Sequence, residues 1–387
     1  VGGSINGFEN LDSGATSRGT IVNEDGACFG IECDAHLGYL IDFTNHGNMA
    51  KVSGTPDGTT SFAARLVSSG NIDCFKGSIV LENVSELSGS IAASAGANAH
   101  IRGGPGTQLA VTATGDGSVV FEGDLNGTLA GSARLGSFVM GNLILAPSST
   151  IAIGDPNGSA TTLTGTLTNH GTLRWVGGSI NGFENLNNGA TSGSTIVNAT
   201  DGIFDIWCDK SLGSFLTFDN KGSIFKTRGE LTSIDCAVQN EGQIEVRSGT
   251  LVFSHSFQQT AGATKLAGGN ISATAPTGLR ILGGELTGAG TIIGNVTLTG
   301  GSIIPGDTLG TPLCIDGNLE LAASATLAST ADGTALTDFG RLVVSGNTTL
   351  AGNLAFSLNN GFVPAPGDRF QVIRGATIIG SFASCTF

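Results

Sequence analysis

The chain has 387 residues and a formal net charge of −14, with 17 Lys and Arg against 31 Asp and Glu and only 12% charged residues in all. That balance excludes the basic face that a nucleic-acid binder needs, and the sparse cations disfavour attachment to an anionic membrane surface. Gly accounts for 62 residues, too many for helices and without a collagen period, while 40% apolar residues excludes a disordered chain.

In chain order, the first stretch, VGGSINGFENL over Val1–Leu11, returns unchanged as Val176–Leu186. The similarity continues through Gly14–Ser17 and Gly189–Ser192, Thr20–Asn23 and Thr195–Asn198, and on to Lys51/Lys226 and Gly54/Gly229. The offset is constant over roughly 54 residues, which marks a true internal repeat. Phe recurs at matched places, Phe8/Phe183, Phe29/Phe204 and Phe43/Phe218, and predicts a column of stacked core rings. Alternation at period two places Phe29, Ile31, Phe43, Phe204, Ile206 and Phe218 on the buried side of strands.

A smaller unit, Asn-x-Gly followed by a small or polar and then an apolar residue, starts at Asn45, Asn169, Asn220 and Asn240. Asn and Gly both tolerate left-handed backbone angles, so each copy reads as a tight turn feeding a strand, with positive φ at one of the two. Asn220 and Asn240 are about one solenoid coil apart. Pro56-Asp57-Gly58 and Asp155-Pro156-Asn157-Gly158 are further turns. Gly70–Leu81 (GNIDCFKGSIVL) aligns with Gly242–Phe253 (GQIEVRSGTLVF), and Ser88–Gly136 alternates short apolar strands with Gly. No window has the pattern of an amphipathic helix, and no apolar run is long enough to span a bilayer as a helix. The composition is similar to that of secreted bacterial surface proteins. With no initiator Met and no lead-in strand before the first repeat, the chain reads as a piece of a longer secreted precursor.

From about Leu279 the texture changes. Gly288–Pro305 (GAGTIIGNVTLTGGSIIP), then Gly306 and Leu313-Cys314-Ile315-Asp316-Gly317, resembles the passenger-associated repeat of bacterial autotransporters and related secreted β-solenoid surface proteins. Gly340–Ile373 is similar to the stretch that follows that repeat, and the upstream Asn-x-Gly units resemble the rungs of long secreted β-solenoids. The resemblance covers most of the chain. It implies an all-β fold, a right-handed parallel β-solenoid (β-helix) with internal repeats, at an extracellular or cell-surface location. The organisation expected is a first long repeat over 1–175, a second over 176–278 and a passenger-associated module over 279–387.

Chemistry-bearing constellations are thin. Asn45-His46-Gly47 and Asn169-His170-Gly171 invite comparison with the Gly-His-Gly of solenoid pectin hydrolases, but Lys221 and Glu241 take the same middle position, which makes it a free turn site. His36, His100 and His255 have no metal-ligand spacing. Asp205, Asp209 and Lys210 lie around one strand and read as solvated turn residues rather than the paired carboxylates of a glycosidase. Gly288-Ala289-Gly290 precedes no helix, so no dinucleotide loop forms, and Thr112-x-Thr114 does not recur as an ice-binding column would. No cofactor, metal or catalytic residue is expected, and the chain reads as a non-enzyme. Seven Cys leave at least one unpaired within the chain. Cys33 and Cys208 read as inward-facing, and a Cys208–Cys236 bridge is one option. An equivalent bridge to Cys74 is not, since that residue aligns with Val246.

A stack of rungs leaves strand edges to be capped or paired. The expectation is therefore a structural protein that forms a surface fibre or filament by head-to-tail association with itself. The assembly candidates are Val1, Ser381, Phe382, Cys385 and Phe387, with Cys385 able to bond a neighbour. The alternatives are an adhesin that binds a receptor, a cell-surface glycan or a host or neighbouring cell on its lateral face, and a polysaccharide-active enzyme. An adhesin predicts an exposed patch along one face, and an enzyme predicts a groove of carboxylates from adjacent rungs.

Overall fold

The computed structural model describes residues 9–10, 15–16, 18–183, 193–213, 215–306 and 310–387. Among these residues there are strands and no helix. The chain divides into two units, Val1–Ser194 and Thr195–Phe387. Each is a parallel β-solenoid, in which a strand pairs with the strand one coil earlier and one coil later.

In the first unit, three short strands make one coil. Ile41–Asn45 pairs in parallel with Gly19–Asn23 before it and Arg65–Ser68 after it. On the next face, Asn48–Lys51 lies between Cys28–Ile31 and Asn71–Cys74. On the third, Thr59–Phe62 pairs with His36–Leu37 and with the start of Ser78–Ala93. Beyond that point the corners open, and the long strands Ser78–Ala93, Asn98–Thr114 and Ser118–Leu145 bend from face to face, with breaks in register near Leu81/Val84 and Gly103/Thr107. Gly127 shows why glycine is frequent there. Its φ is +111°, and a Cβ would stand 2.1 Å from the Leu109 carbonyl oxygen of the neighbouring coil.

In the second unit one column can be followed through Phe218, Val238, Phe257, Leu279, Val296, Leu319, Thr348 and Ile378, one residue per coil. The step varies from 17 residues, Leu279 to Val296, to 30, Thr348 to Ile378, because corner loops absorb insertions while the strands keep register. From Phe218 to Thr348 every residue of this column is buried. The alternation of buried and exposed residues along each strand accounts for the period-two pattern of the sequence.

The two long repeats build the same ring pair. Phe29 meets Phe43 edge to face with centroids 4.9 Å apart, and Phe204 meets Phe218 in the same way at 4.9 Å. Ile31, Phe43, Phe204, Ile206 and Phe218 are buried as expected, whereas Phe29 is half-buried. Phe183 does not join the column. It is 44% exposed, and its counterpart Phe8 lies outside the described residues.

The Asn-x-Gly units are not left-handed turns. Neither the Asn nor the Gly of any of the four copies has a positive φ. Instead each Asn closes a strand with its side chain turned inward and fully buried. Asn198 Nδ2 donates to Asn220 Oδ1 at 2.8 Å, Asn220 Nδ2 to Asn240 Oδ1 at 2.7 Å, and Asn240 Nδ2 to Gln259 Oε1 at 3.1 Å. The ladder ends where Gln259 Nε2 donates to the carbonyls of Gly283 and Glu285. A shorter ladder in the first unit runs from Asn23 to Asn45 to Ser68. The following glycine is required by close approach between coils. A Cβ on Gly222 would lie 2.2 Å from the carbonyl oxygens of both Ala199 and Gly202.

Candidate functional site

The assembly candidates fall on the coil made by Ile373–Arg374, Thr377–Gly380 and Ser384–Thr386. Val1 lies outside the described residues. Ser381 and Cys385 are exposed, Phe382 is half-buried, and Phe387 is 96% exposed, with its ring 6.3 Å from that of Phe356. Ile378 continues the inward column of Thr348 yet is 46% exposed. Cys385 continues a second inward column, through Ile303, Leu327 and Leu354, and is an exposed free thiol. The coil therefore presents interior-type positions that nothing in the described residues covers. Together with the outward-facing Ile379, 56% exposed, they make an apolar edge.

Cys208 and Cys236 do not meet as a bridge. Both are buried free thiols. Burial, reinforced by the adjacent Asp209 and Asp235 carboxylates respectively, pushes each thiol up to about 12, which makes both poor nucleophiles at neutral pH.

Each long repeat also places a lysine inside a corner. Lys51 has no solvent exposure. Its Nζ donates to Asp34 Oδ1 at 2.8 Å, Thr60 Oγ1 at 2.9 Å and the Cys33 carbonyl at 3.4 Å. Asp34 Oδ2 accepts from the backbone N–H and hydroxyl of Thr55. The Lys51 hydrogen bond, then the Thr55 N–H, hold the Asp34 carboxyl down to about 2. The second copy repeats the parts but not the distances. The equally buried Lys226 donates to the Arg228 carbonyl at 2.7 Å and stands 3.8 Å from Asp209 Oδ1, while Asp209 takes the Leu231 N–H. Burial lowers the Lys226 pKa, and Asp209 offsets this only in part. A buried lysine with a depressed pKa is a candidate nucleophile. Lys226 has no solvent exposure, however, and in both copies the ammonium instead ties a corner loop to the strand below it. The sequence contained the signal, since Lys51 and Lys226 are matched in the repeat. Asp205, Asp209 and Lys210, grouped by proximity in sequence, do not converge: Asp209 serves Lys226, and Asp205 Oδ1 accepts from Thr227.

Comparison with protein-family models, curated proteins and solved structures found no match.

Among the described residues no group of His, Cys, Asp and Glu is arranged to hold a metal ion, and no helix is long and apolar enough to cross a membrane. On the lateral surface of the first unit, His100, Glu122, Arg134 and Asp155 line a shallow cleft of about 260 Å³. Sequence reasoning weighed His100 only against other histidines and missed this grouping, because its members come from successive coils and lie up to 55 positions apart. On the second unit, Arg228 stacks 3.9 Å above the Trp207 ring and Arg247 4.2 Å above Phe225, so each aromatic face is occupied by a cation from the same chain.

Proposed function

We propose that this chain is a structural, non-enzymatic surface protein, secreted in the manner of the bacterial β-solenoids that its sequence resembles, and that it associates head to tail with a second copy of itself. The observation that carries this reading is Ile378. It occupies a column whose members from Phe218 to Thr348 are each covered by a residue of the next coil, and it is the member that no described residue covers. The group that fits over it is another coil of the same width. A second copy offers one at Gly19–Leu37, where Phe29 is half-buried although its repeat counterpart Phe204 is fully enclosed. Backbone pairing at that edge would continue the hydrogen-bonded ladder, and covering the 46% of Ile378 that is exposed would add on the order of 1 kcal/mol per contact. A head-to-tail contact that does not close into a ring propagates as a filament.

The test compares the chain with a variant lacking Ser381–Phe387, by sedimentation velocity and electron microscopy over a concentration series. The reading requires polymers that shorten or vanish in the variant. A chain that stays monomeric at high concentration, or filaments indifferent to the deletion, would reject it.

A further inference from the structure

The cleft on the first unit has features that the structural reading does not use. His100 lies on Asn98–Thr114, and Glu122 and Arg134 lie on Ser118–Leu145, one coil apart from each other. Asp155 follows Thr150–Ile153, and Ser159 precedes Thr161–Asn169. Glu122 Oε1 accepts from Arg102 Nε at 2.9 Å, and its Oε2 lies 3.4 Å from the Ser137 hydroxyl. The carboxylate can lie this low because residue 136 is glycine, where a Cβ would stand 2.7 Å from Glu122 Oε2.

One buried hydrogen-bonding atom of the cleft is left without a hydrogen bond, and one half-buried cation is only loosely paired. His100 Nε2 is 3.0 Å from Glu122 Oε1 but not aligned for a hydrogen bond, so this buried ring nitrogen is unsatisfied. Arg134 Nη1 is 3.8 Å from Asp155 Oδ1, an ion pair too long for a hydrogen bond. A buried polar atom with no partner costs stability unless something fills its need, so its presence in a cleft points to a ligand. Burial lowers the His100 pKa, which leaves the imidazole neutral at neutral pH, able to accept or donate. With that ring neutral, Arg102 and Arg134 balance Glu122 and Asp155, and the site carries no net charge. It falls below the ~300–1,000 Å³ of pockets for drug-sized ligands, so its occupant is about one ring in size.

We propose that this cleft binds one unit of a neutral saccharide, with Arg134 donating to its hydroxyl oxygens and Glu122 and Asp155 accepting from its hydroxyl hydrogens. Hydroxyls suit a site that mixes donors and acceptors, because each can serve both. An anion would meet two carboxylates, and an apolar group would strand every polar atom of the lining. The proposal does not depend on filament formation.

The full chain would be titrated with free glucose, galactose, mannose and N-acetylglucosamine, with galacturonate as the anionic comparison, by saturation-transfer NMR. Binding of at least one neutral sugar at millimolar concentration is expected, weakened about tenfold or more by Arg134→Ala and by Glu122→Gln through loss of charge-assisted hydrogen bonds. Because Arg134→Ala could disturb the strand, Ser137→Trp, at an exposed position on the cleft wall, provides a second block that leaves the charged groups in place. No binding by any of the neutral sugars, binding by galacturonate alone, or binding unchanged in all three variants would overturn the proposal.

Discussion

Asn220→Ala tests whether the internal amide ladder holds the coils together. The Asn220 side chain is buried and makes three hydrogen bonds: it donates to Asn240 Oδ1 at 2.7 Å and to the Gln243 carbonyl at 3.2 Å, and it accepts from Asn198 Nδ2 at 2.8 Å. After substitution, Asn198 Nδ2 keeps the carbonyls of Gly202 and Ser223, so its loss is partial. Asn240 Oδ1 loses the donor it had and is left buried. Such an orphan costs about 1–3 kcal/mol, and the other bonds contribute about 0.5–1.5 kcal/mol each. The expected total is about 2–4 kcal/mol, which corresponds to amide exchange roughly 30- to 1,000-fold faster where opening limits protection. Hydrogen-exchange mass spectrometry should show this over Ser194–Asn198, Leu216–Asn220 and Ala237–Asn240. Asn142→Ala, at an exposed position, is the control. An Asn220 effect no larger than that of the control would mean that the ladder is filler rather than fastening.

Three further outcomes are expected. Lys51→Met should destabilise more than Lys226→Met in urea melts, because Lys51 satisfies Asp34 and Thr60 at hydrogen-bond distance whereas Lys226 stands 3.8 Å from its carboxylate; equal effects would contradict that geometry. The Asp34 carboxyl is held at about 2 against an ordinary 3.8, so its contribution is present above about pH 4 and is lost as pH falls towards 2; Asp34→Asn should flatten the acid limb of the stability profile in that window, and an unchanged limb would assign it to other groups. Alkylation at pH 8 should label the exposed Cys28 and Cys385 first and Cys208 and Cys236 last, and early labelling of either of that pair would contradict its burial.

The fold was legible because its determinants are periodic. Phe43, Phe204, Ile206 and Phe218 repeat at period two within strands and at a fixed offset between copies, and both periods survive as buried columns. The Asn-x-Gly units were misread because the sequence displays only local possibilities. Asn and Gly side by side favour a turn when considered alone, but in the stack the Asn gains a partner from each neighbouring coil and the Gly is held to a surface where a Cβ would collide. The cleft was hidden for the converse reason. His100, Glu122, Arg134 and Asp155 share no period, and what brings them together is the stacking of successive coils whose strands run around the corners.

That contrast bears on how a solenoid of this kind can acquire function. The interior is under a strict rule, one residue per column per coil, and even its charged members obey it: Lys51 and Lys226 occupy equivalent places with equivalent aspartates. Yet the two corners have diverged, to 2.8 Å in one and 3.8 Å in the other, through changes in the loops rather than in the lysine or the carboxylate. Thr60 reaches the lysine in the first copy, whereas in the second the ammonium takes the Arg228 carbonyl and Thr232 donates only to the Cys208 carbonyl. Strands that must stay in register leave the corners and lateral surfaces as the places where neighbouring coils can differ without breaking the ladder. The unsatisfied His100 Nε2 and the loosely paired Arg134 lie on such a lateral surface, where the stack's own rule does not dictate the residue, whereas Ile378 keeps to an inward column.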